Sequence, residues 1–276
     1  MNIMNVHGRD IDRVLGHVRF AVVPLGSVEY HGPHSPVGTD VILAEGFADR
    51  LDPELKPLVY PAVPYTACPG KTQDYTGTIT IRPAVMTEYL TDIALGICEM
   101  GIRSILLLNA HDGNMGVSRT VAEAVTAQYK DASFLLVNWW QMASVDFTEK
   151  KGLFHNTAGR GHGGPYEMSA VKAFRPELVS VEDNDPELHS ARALSPLPYV
   201  LVEGEPQGWN GYTGCIHQIS IEAGKAIVDE AGRNMNELIR QWLDAREAAK
   251  PSALDEERVK VDNGIDGEGD RHHGLP

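Results

Sequence analysis

The stretch VVPLGSVEYHGPHSPVGTD, Val22 to Asp40, sets Glu29, His31, His34 and Asp40 among glycines and prolines, just after the apolar run Phe20 to Val23. Imidazoles and carboxylates gathered at the end of a buried strand suit a first-row metal such as zinc, manganese or iron. Glu29 and His31 lie two apart, so on an extended segment they project the same way and can address one site. A carboxylate such as Asp40 can bridge two cations, as two-metal hydrolases require. A loop serving only solubility would favour Lys, Ser or Asn over histidines interleaved with acids.

Two further loops carry the same residue types. NAHDGNMG, Asn109 to Gly116, brings His111 and Asp112 directly after the branched apolar run Ile102 to Leu108. GLFHNTAGRGHGG, Gly152 to Gly164, carries His155 and His162 and runs into PYEMSAVKAF, a helical start with Pro165 in its first turn and Glu167 facing the loop end. Strand, glycine-bearing turn and helix make the βα unit in which α/β proteins place their sites at the carboxyl ends of strands. Alternating strands and helices would bring all three loops to one edge of a parallel sheet.

The elements that must position these loops follow from periodicity. Phe20 to Val23 predicts a short strand broken at Pro24 and Gly26, and VILAEGFADRL, with Ile42, Leu43, Phe47 and Leu51, predicts a helix. Leu58 to Val63 predicts a strand stopped by Pro64, and Thr78 to Ile81 reads as strand-like. The long loop between them is a candidate pocket wall. Met86, Leu90, Ile93, Ile97 and Met100 mark an amphipathic helix closed by Gly101. A helix over Val117 to Tyr129 and a strand over Phe134 to Val137 follow. Arg175 to Asn210, rich in Pro, Glu and Asp, predicts irregular structure packed on the domain. Gly224 to Ala249 predicts a long helix whose stripe of Ile227, Ala231, Met235, Leu238, Ile239 and Trp242 faces the core or another subunit. The charged, glycine-dotted tail from Pro251 predicts a mobile or partner-draped extension.

A chain of 276 residues fits one large α/β domain or two small ones. Lys and Arg total 24 against 38 Asp and Glu, a formal charge of −14, which argues against nucleic acid or an anionic membrane as partner. No segment approaches the length of a transmembrane helix, and MNIMNVHGRD lacks the apolar core of a signal peptide. Cys68, Cys98 and Cys215 are widely separated, as free thiols in a reducing compartment would be. The expectation is a cytoplasmic protein.

The blocks PLGSVEYHGPH (Pro24 to His34) with Asp40, NAHDGN (Asn109 to Asn114) and HGGPYEMS (His162 to Ser169) together resemble the three signature blocks of the creatininase (creatinine amidohydrolase) family. Order, spacing and the intervening βα pattern match over roughly the first 175 residues, and the long C-terminal helix is similar to the family's close. The resemblance implies a single-domain α/β fold with a mainly parallel central sheet flanked by helices. It would span residues 1–250 as a metal-dependent hydrolase domain, with 251–276 as an extension. It also implies two divalent metal ions per chain (Zn, Mn or Fe), a small-molecule substrate, and a homo-oligomer, commonly a hexamer.

Carried over by position, Glu29, His31, Asp40 and His111 match metal ligands, with Asp40 as the bridge. Glu167 matches the third-block glutamate, which can ligate the second metal or act on the nucleophilic water. His162 matches a histidine placed to polarise the substrate or shuttle a proton. The chain departs from creatininase itself, which has a Tyr-Glu pair after the second-block histidine, its glutamate a metal ligand. Here the pair is Asp112-Gly113, so Glu167, or Asp112 as the second choice, must supply that ligand, and creatinine is disfavoured as substrate. Tyr30 stands where glutamine is common, and Gln73 where many relatives carry histidine.

The resemblance thus implies an amidohydrolase in which a hydroxide held by a binuclear centre attacks a carbonyl. The expected substrate is small, neutral and cyclic: a cyclic amide or formamide. The alternatives are opening of a ring C–C bond in an inosose-type cyclic polyol diketone, a peptide-trimming metallopeptidase, or a non-catalytic subunit stapled by its metal.

Overall fold

A computed structural model describes residues 1–155, 159–186, 204–205 and 207–249. The tail from residue 251, and much of the Pro- and acid-rich stretch before Asn210, lie outside the described residues. A four-stranded, wholly parallel sheet runs in the order β2-β1-β3-β4, with β1 at Phe20–Leu25, β2 at Pro57–Val59, β3 at Ser104–Asn109 and β4 at Ser133–Asn138. The helices are α1 Ile11–Leu15, α2 Thr39–Ala48, α3 Pro83–Glu99, α4 Asn114–Gln128, α5 Val145–Lys150, α6 Pro165–Phe174 and α7 Ile221–Ala248.

Side-chain alternation along the strands feeds two cores. Phe20, Val22, Leu106, Leu108 and Val137 face one side and pack with α2, α6 and α7; Ala21, Val23, Leu25, Leu58, Ile105 and Leu107 face the other and pack with α1, α3 and α4. Both faces of the sheet are therefore covered, as continuous apolar strands demand. The expected single-domain α/β sandwich is what forms. Among the described residues no helix is long and apolar enough to cross a membrane.

Three local expectations need correction. β1 does not break at Pro24 but continues to Leu25. Even-numbered residues of β1 bond toward β2, since Tyr60 N–H reaches the Val22 carbonyl and Val63 N–H the Pro24 carbonyl. The donor that proline lacks thus faces the edge where β2 has already ended, and costs the ladder little. β2 is three residues, Pro57–Val59, rather than a strand to Val63, which keeps only an isolated bridge to Leu25. Thr78 to Ile81 is not a strand: Ile79 N–H bonds the Val28 carbonyl and Ile81 N–H the Thr66 carbonyl, so its donors go to two different segments.

The stripe on α7 proves to be core. Ile227, Ala231, Met235 and Ile239 are fully buried, while Leu238 and Trp242 pack at the margin. Ser220 caps the helix by accepting from Ala223 N–H. α7 lies directly on α6 because Gly224 has no side chain; a Cβ there would come 1.8 Å from the Ser169 carbonyl oxygen, which is backbone and cannot yield. Gly224→Val is expected to cost roughly 1–3 kcal/mol by overpacking, measured as a lower urea midpoint. An unchanged midpoint would show that α6 and α7 are not in this contact.

Candidate metal centre

The strand order reverses direction at β1. The chain leaves β1 through α2 on one face and leaves the neighbouring β3 through α4 on the other, so a crevice opens beyond the carboxyl ends of this pair. Glu29, His31 and Asp40 follow β1, and His111 follows β3 by two residues. The third loop reaches the same crevice from α6. Asp40 and Glu167 sit in the first turns of α2 and α6, where the positive end of each helix dipole faces their carboxylates.

The cluster is nearly dry: Glu29, His31, Asp40 and His111 are 8 % exposed or less. His111 Nδ1 lies 2.9 Å from Glu29 Oε2 and 3.3 Å from Asp40 Oδ2. His31 Nε2 lies 3.3 Å from Asp40 Oδ1 and 3.8 Å from Glu167 Oε2. Asp40 thus turns one oxygen to each histidine. Two groups able to hold a cation result, Glu29–Asp40–His111 and His31–Asp40–Glu167, sharing that one carboxylate; Glu29, His31 and His162 form a third, overlapping group.

The remaining ring nitrogens are spoken for. His31 Nδ1–H donates to the Glu29 carbonyl at 2.9 Å, and His111 Nε2–H to the Ala67 carbonyl at 3.2 Å. These backbone acceptors fix the tautomers so that the other nitrogens aim lone pairs at the carboxylates, as a metal-ligating histidine is held when its far N–H bonds a carbonyl. With the His111 proton on Nε2, buried Glu29 Oε2 and Asp40 Oδ2 have no hydrogen-bond donor. Acceptors converging on acceptors is stable only with positive charge between them, and two divalent cations fit this donor set.

The protein alone supplies that charge as protons. Burial opposes the His31 cation, but Asp40, with Glu167 and Glu29, outweighs it and raises the imidazole to about 10. Burial likewise opposes the His111 cation, while Glu29 and Asp40 hold it well above the ordinary range. Glu29 and Asp40 are correspondingly held low against burial, by His111 above all for Glu29 and by His31 above all for Asp40. Burial pushes Glu167 up to about 7, and it pushes His162 down to about 4 with help from the neighbouring His31 charge. Divalent cations would displace these protons.

His162 stacks on His31 with ring centroids 4.0 Å apart and donates through Nε2 to the Tyr30 carbonyl at 2.7 Å. Asp112 is exposed and joins none of the groups, so Glu167 is the carboxylate brought to the second triad. His34 is buried but outside them, its Nε2 bound to the Gly163 carbonyl at 2.8 Å. His155 is exposed. No sequence pattern marked Thr72, whose buried hydroxyl donates to Glu29 Oε1, or brought Tyr75 and Trp209 together with Tyr30 in one wall. Tyr75 stacks on Tyr30 at 5.0 Å and donates to the Trp209 carbonyl at 2.7 Å, while Trp209 sits 5.7 Å from the His162 ring. The only signals for these were the length of the loop carrying Thr72 and Tyr75, and a tryptophan amid glycines.

The sequence matches the creatinine amidohydrolase family description over residues 5–239. This chain belongs to the creatininase family. Creatinine amidohydrolase of Pseudomonas putida is 25% identical over 177 residues, 58% of this chain and 66% of that protein. The 3-dehydro-scyllo-inosose hydrolase of Thermotoga maritima is 24% identical over 152 residues, 55% of this chain and 46% of the relative. A mycofactocin precursor peptide peptidase of Mycobacterium tuberculosis is 33% identical over 123 residues, 41% and 48% of the two chains. The chain spans about half to two thirds of the length of these relatives. A crystal structure of creatininase superposes with a TM-score of 0.75 at 20% identity, over 88% of this chain and 97% of that one. Creatininases of this fold have been solved in a manganese form and in a zinc–zinc form.

Within the family, Gly113 is informative. A Cβ there would lie 2.5 Å from the Ala67 carbonyl oxygen and 2.6 Å from His111 Nε2, the two atoms whose bond orients the imidazole. On this backbone position 113 therefore cannot carry a glutamate, in keeping with the presence of Glu167 in the cluster. Gly113→Ala is expected to weaken cation retention about 10–100-fold, the range seen when such orienting bonds are lost. Equilibrium dialysis with elemental analysis measures this, and wild-type retention would show that the Ala67 carbonyl does not orient His111.

Proposed function

We propose that the chain is a metal-dependent hydrolase with a binuclear centre, cleaving the C–N bond of a small, neutral, cyclic amide or formamide. The observation that carries this reading is the sharing of Asp40, whose two oxygens face different histidines in two ligand triads. Glu29, Asp40 and His111 would hold one cation, and His31, Asp40 and Glu167 the other, with zinc, manganese or iron all suited to these donors. Bound there, two divalent cations supply Lewis acidity and acidify water toward hydroxide near neutral pH.

The chain's own residues do the rest. His162, its ring stacked on His31 and its Nε2 on the Tyr30 carbonyl, lies beside the centre, and we assign it to carrying a proton toward the leaving nitrogen. Glu167 completes the second triad and, where it is not wholly engaged, holds a proton for the same transfer. Tyr30, Tyr75 and Trp209 form an aromatic wall that suits a flat ring and excludes water. Among the described residues no lysine or arginine pairs with Glu29, Asp40 or Glu167, which favours a neutral substrate over a phosphorylated one. We take residues 1–250 as the catalytic domain of a cytoplasmic homo-oligomer.

The stretch 33% identical to the peptide peptidase keeps peptide trimming as a second reading, and the Thermotoga maritima relative keeps C–C hydrolysis of a cyclic polyol diketone in the test. The protein should be assayed as purified, after chelation and after cation add-back, on cyclic amides, formamides, short peptides and cyclic polyol ketones. The expected result is close to two cations per chain, turnover of a cyclic amide or formamide, loss on chelation and recovery on add-back. Asp40→Ala should abolish both cation binding and turnover. Full activity without metal would overturn the mechanism, and turnover of only peptides or ring ketones would reassign the bond.

A further inference from the structure

We propose that His34 is a positioning residue: its hold on the Gly163 carbonyl keeps Glu167 presented to the second cation. The inference rests on the binuclear reading above. His34 is 2 % exposed, and its ring edge meets Tyr212 at 5.0 Å between centroids. Its backbone is itself held, since the His34 carbonyl accepts from Ser180 N–H at 3.1 Å. Nδ1 is buried without a partner, so the single ring proton belongs on Nε2, which donates to the Gly163 carbonyl at 2.8 Å.

Gly163 connects that bond to the centre. Its N–H donates to Glu167 Oε2 at 2.8 Å, the same oxygen that faces His31 Nε2. One residue therefore has its carbonyl gripped by His34 and its amide gripping Glu167. It must be glycine: φ is +64°, and a Cβ would fall 2.3 Å from the His31 carbonyl oxygen. Glycine is also the residue least able to hold its own dihedrals, so its orientation depends on the bonds at its two polar groups. With the His34 bond gone, rotation at Gly163 would swing the amide from Glu167 and free that carboxylate to leave the triad. His34 thus ties the third loop to the first across 129 residues of sequence.

Among the described residues the Gly163 N–H bonds the Glu167 carboxylate and no carboxylate of the first triad, Glu29–Asp40–His111, so the effect should fall chiefly on one cation. The test is cation binding by equilibrium dialysis with zinc and with manganese, alongside thermal melts, on wild type, His34→Leu, His34→Asn and His34→Gln. Asparagine is polar but too short to reach the carbonyl; glutamine carries an amide N–H about as far out as Nε2. We expect His34→Leu and His34→Asn to bind one of two cations normally and the other about 10–100-fold more weakly, His34→Gln to restore it, and Glu167→Gln to add little on top of His34→Asn. If His34→Leu does not fold, the asparagine and glutamine variants carry the comparison. Two cations at wild-type affinity in His34→Asn, equal weakening of both, or failure of His34→Gln to rescue would overturn the role. A wild type that binds no cation would instead overturn the binuclear reading itself.

Discussion

Mutual repulsion among buried carboxylates is the constraint around which this molecule is arranged. Glu29, Asp40 and Glu167 converge in a dry crevice, and like charges so placed cannot all ionise without compensation. The fold itself offers two partial remedies. The amino ends of α2 and α6 point their dipoles at Asp40 and Glu167. His31 and His111 are held with their free nitrogens inward by backbone carbonyls. The rest of the positive charge is left to be supplied by protons or divalent cations. A site that is satisfied only with added charge stores a strong affinity for it.

The sheet makes this convergence possible. Parallel strands send every β-to-α loop to the same edge, and the reversal of strand order at β1 opens space between the loops of β1 and β3. Two wholly apolar cores on either face fix that geometry, with α7 lying across α6 through the gap left by Gly224. Around the centre, glycines serve as places where backbone must pass close to a ligand residue. Gly113 lets the Ala67 carbonyl reach His111, and Gly163 lets the third loop rest on the His31 backbone. The aromatic wall belongs to a separate layer, held by Tyr75 between the loop after β2 and the segment around Trp209.

Much of this was readable from residue order. The strands around Val22 and Leu106, the helices after Asp40, Pro83 and Asn114, and the long C-terminal helix all follow from periodicity and from glycine or proline at their ends. The ligand types in three blocks pointed to one metal site. Less readable were Thr78 to Ile81, whose strand-like composition is overridden because its partners lie in different segments, and Pro24, tolerated in a strand because its blank edge faces the end of β2. Thr72 and Trp209 carried no pattern at all, since a hydroxyl or an indole joins a site only through where its loop lands.

By itself the sequence determined the donor chemistry, the order of elements and the family, because residue type, apolar spacing and local backbone preference are properties of short stretches. The tertiary structure decided which donors lie together. It separated Asp40 into two faces, placed Glu167 in the second triad while leaving Asp112 exposed, and turned His34 away from the centre to hold Gly163. Those outcomes depend on distances between residues far apart in sequence, 129 positions in the case of His34 and Gly163. They are set by packing two cores against one sheet, which no local stretch encodes.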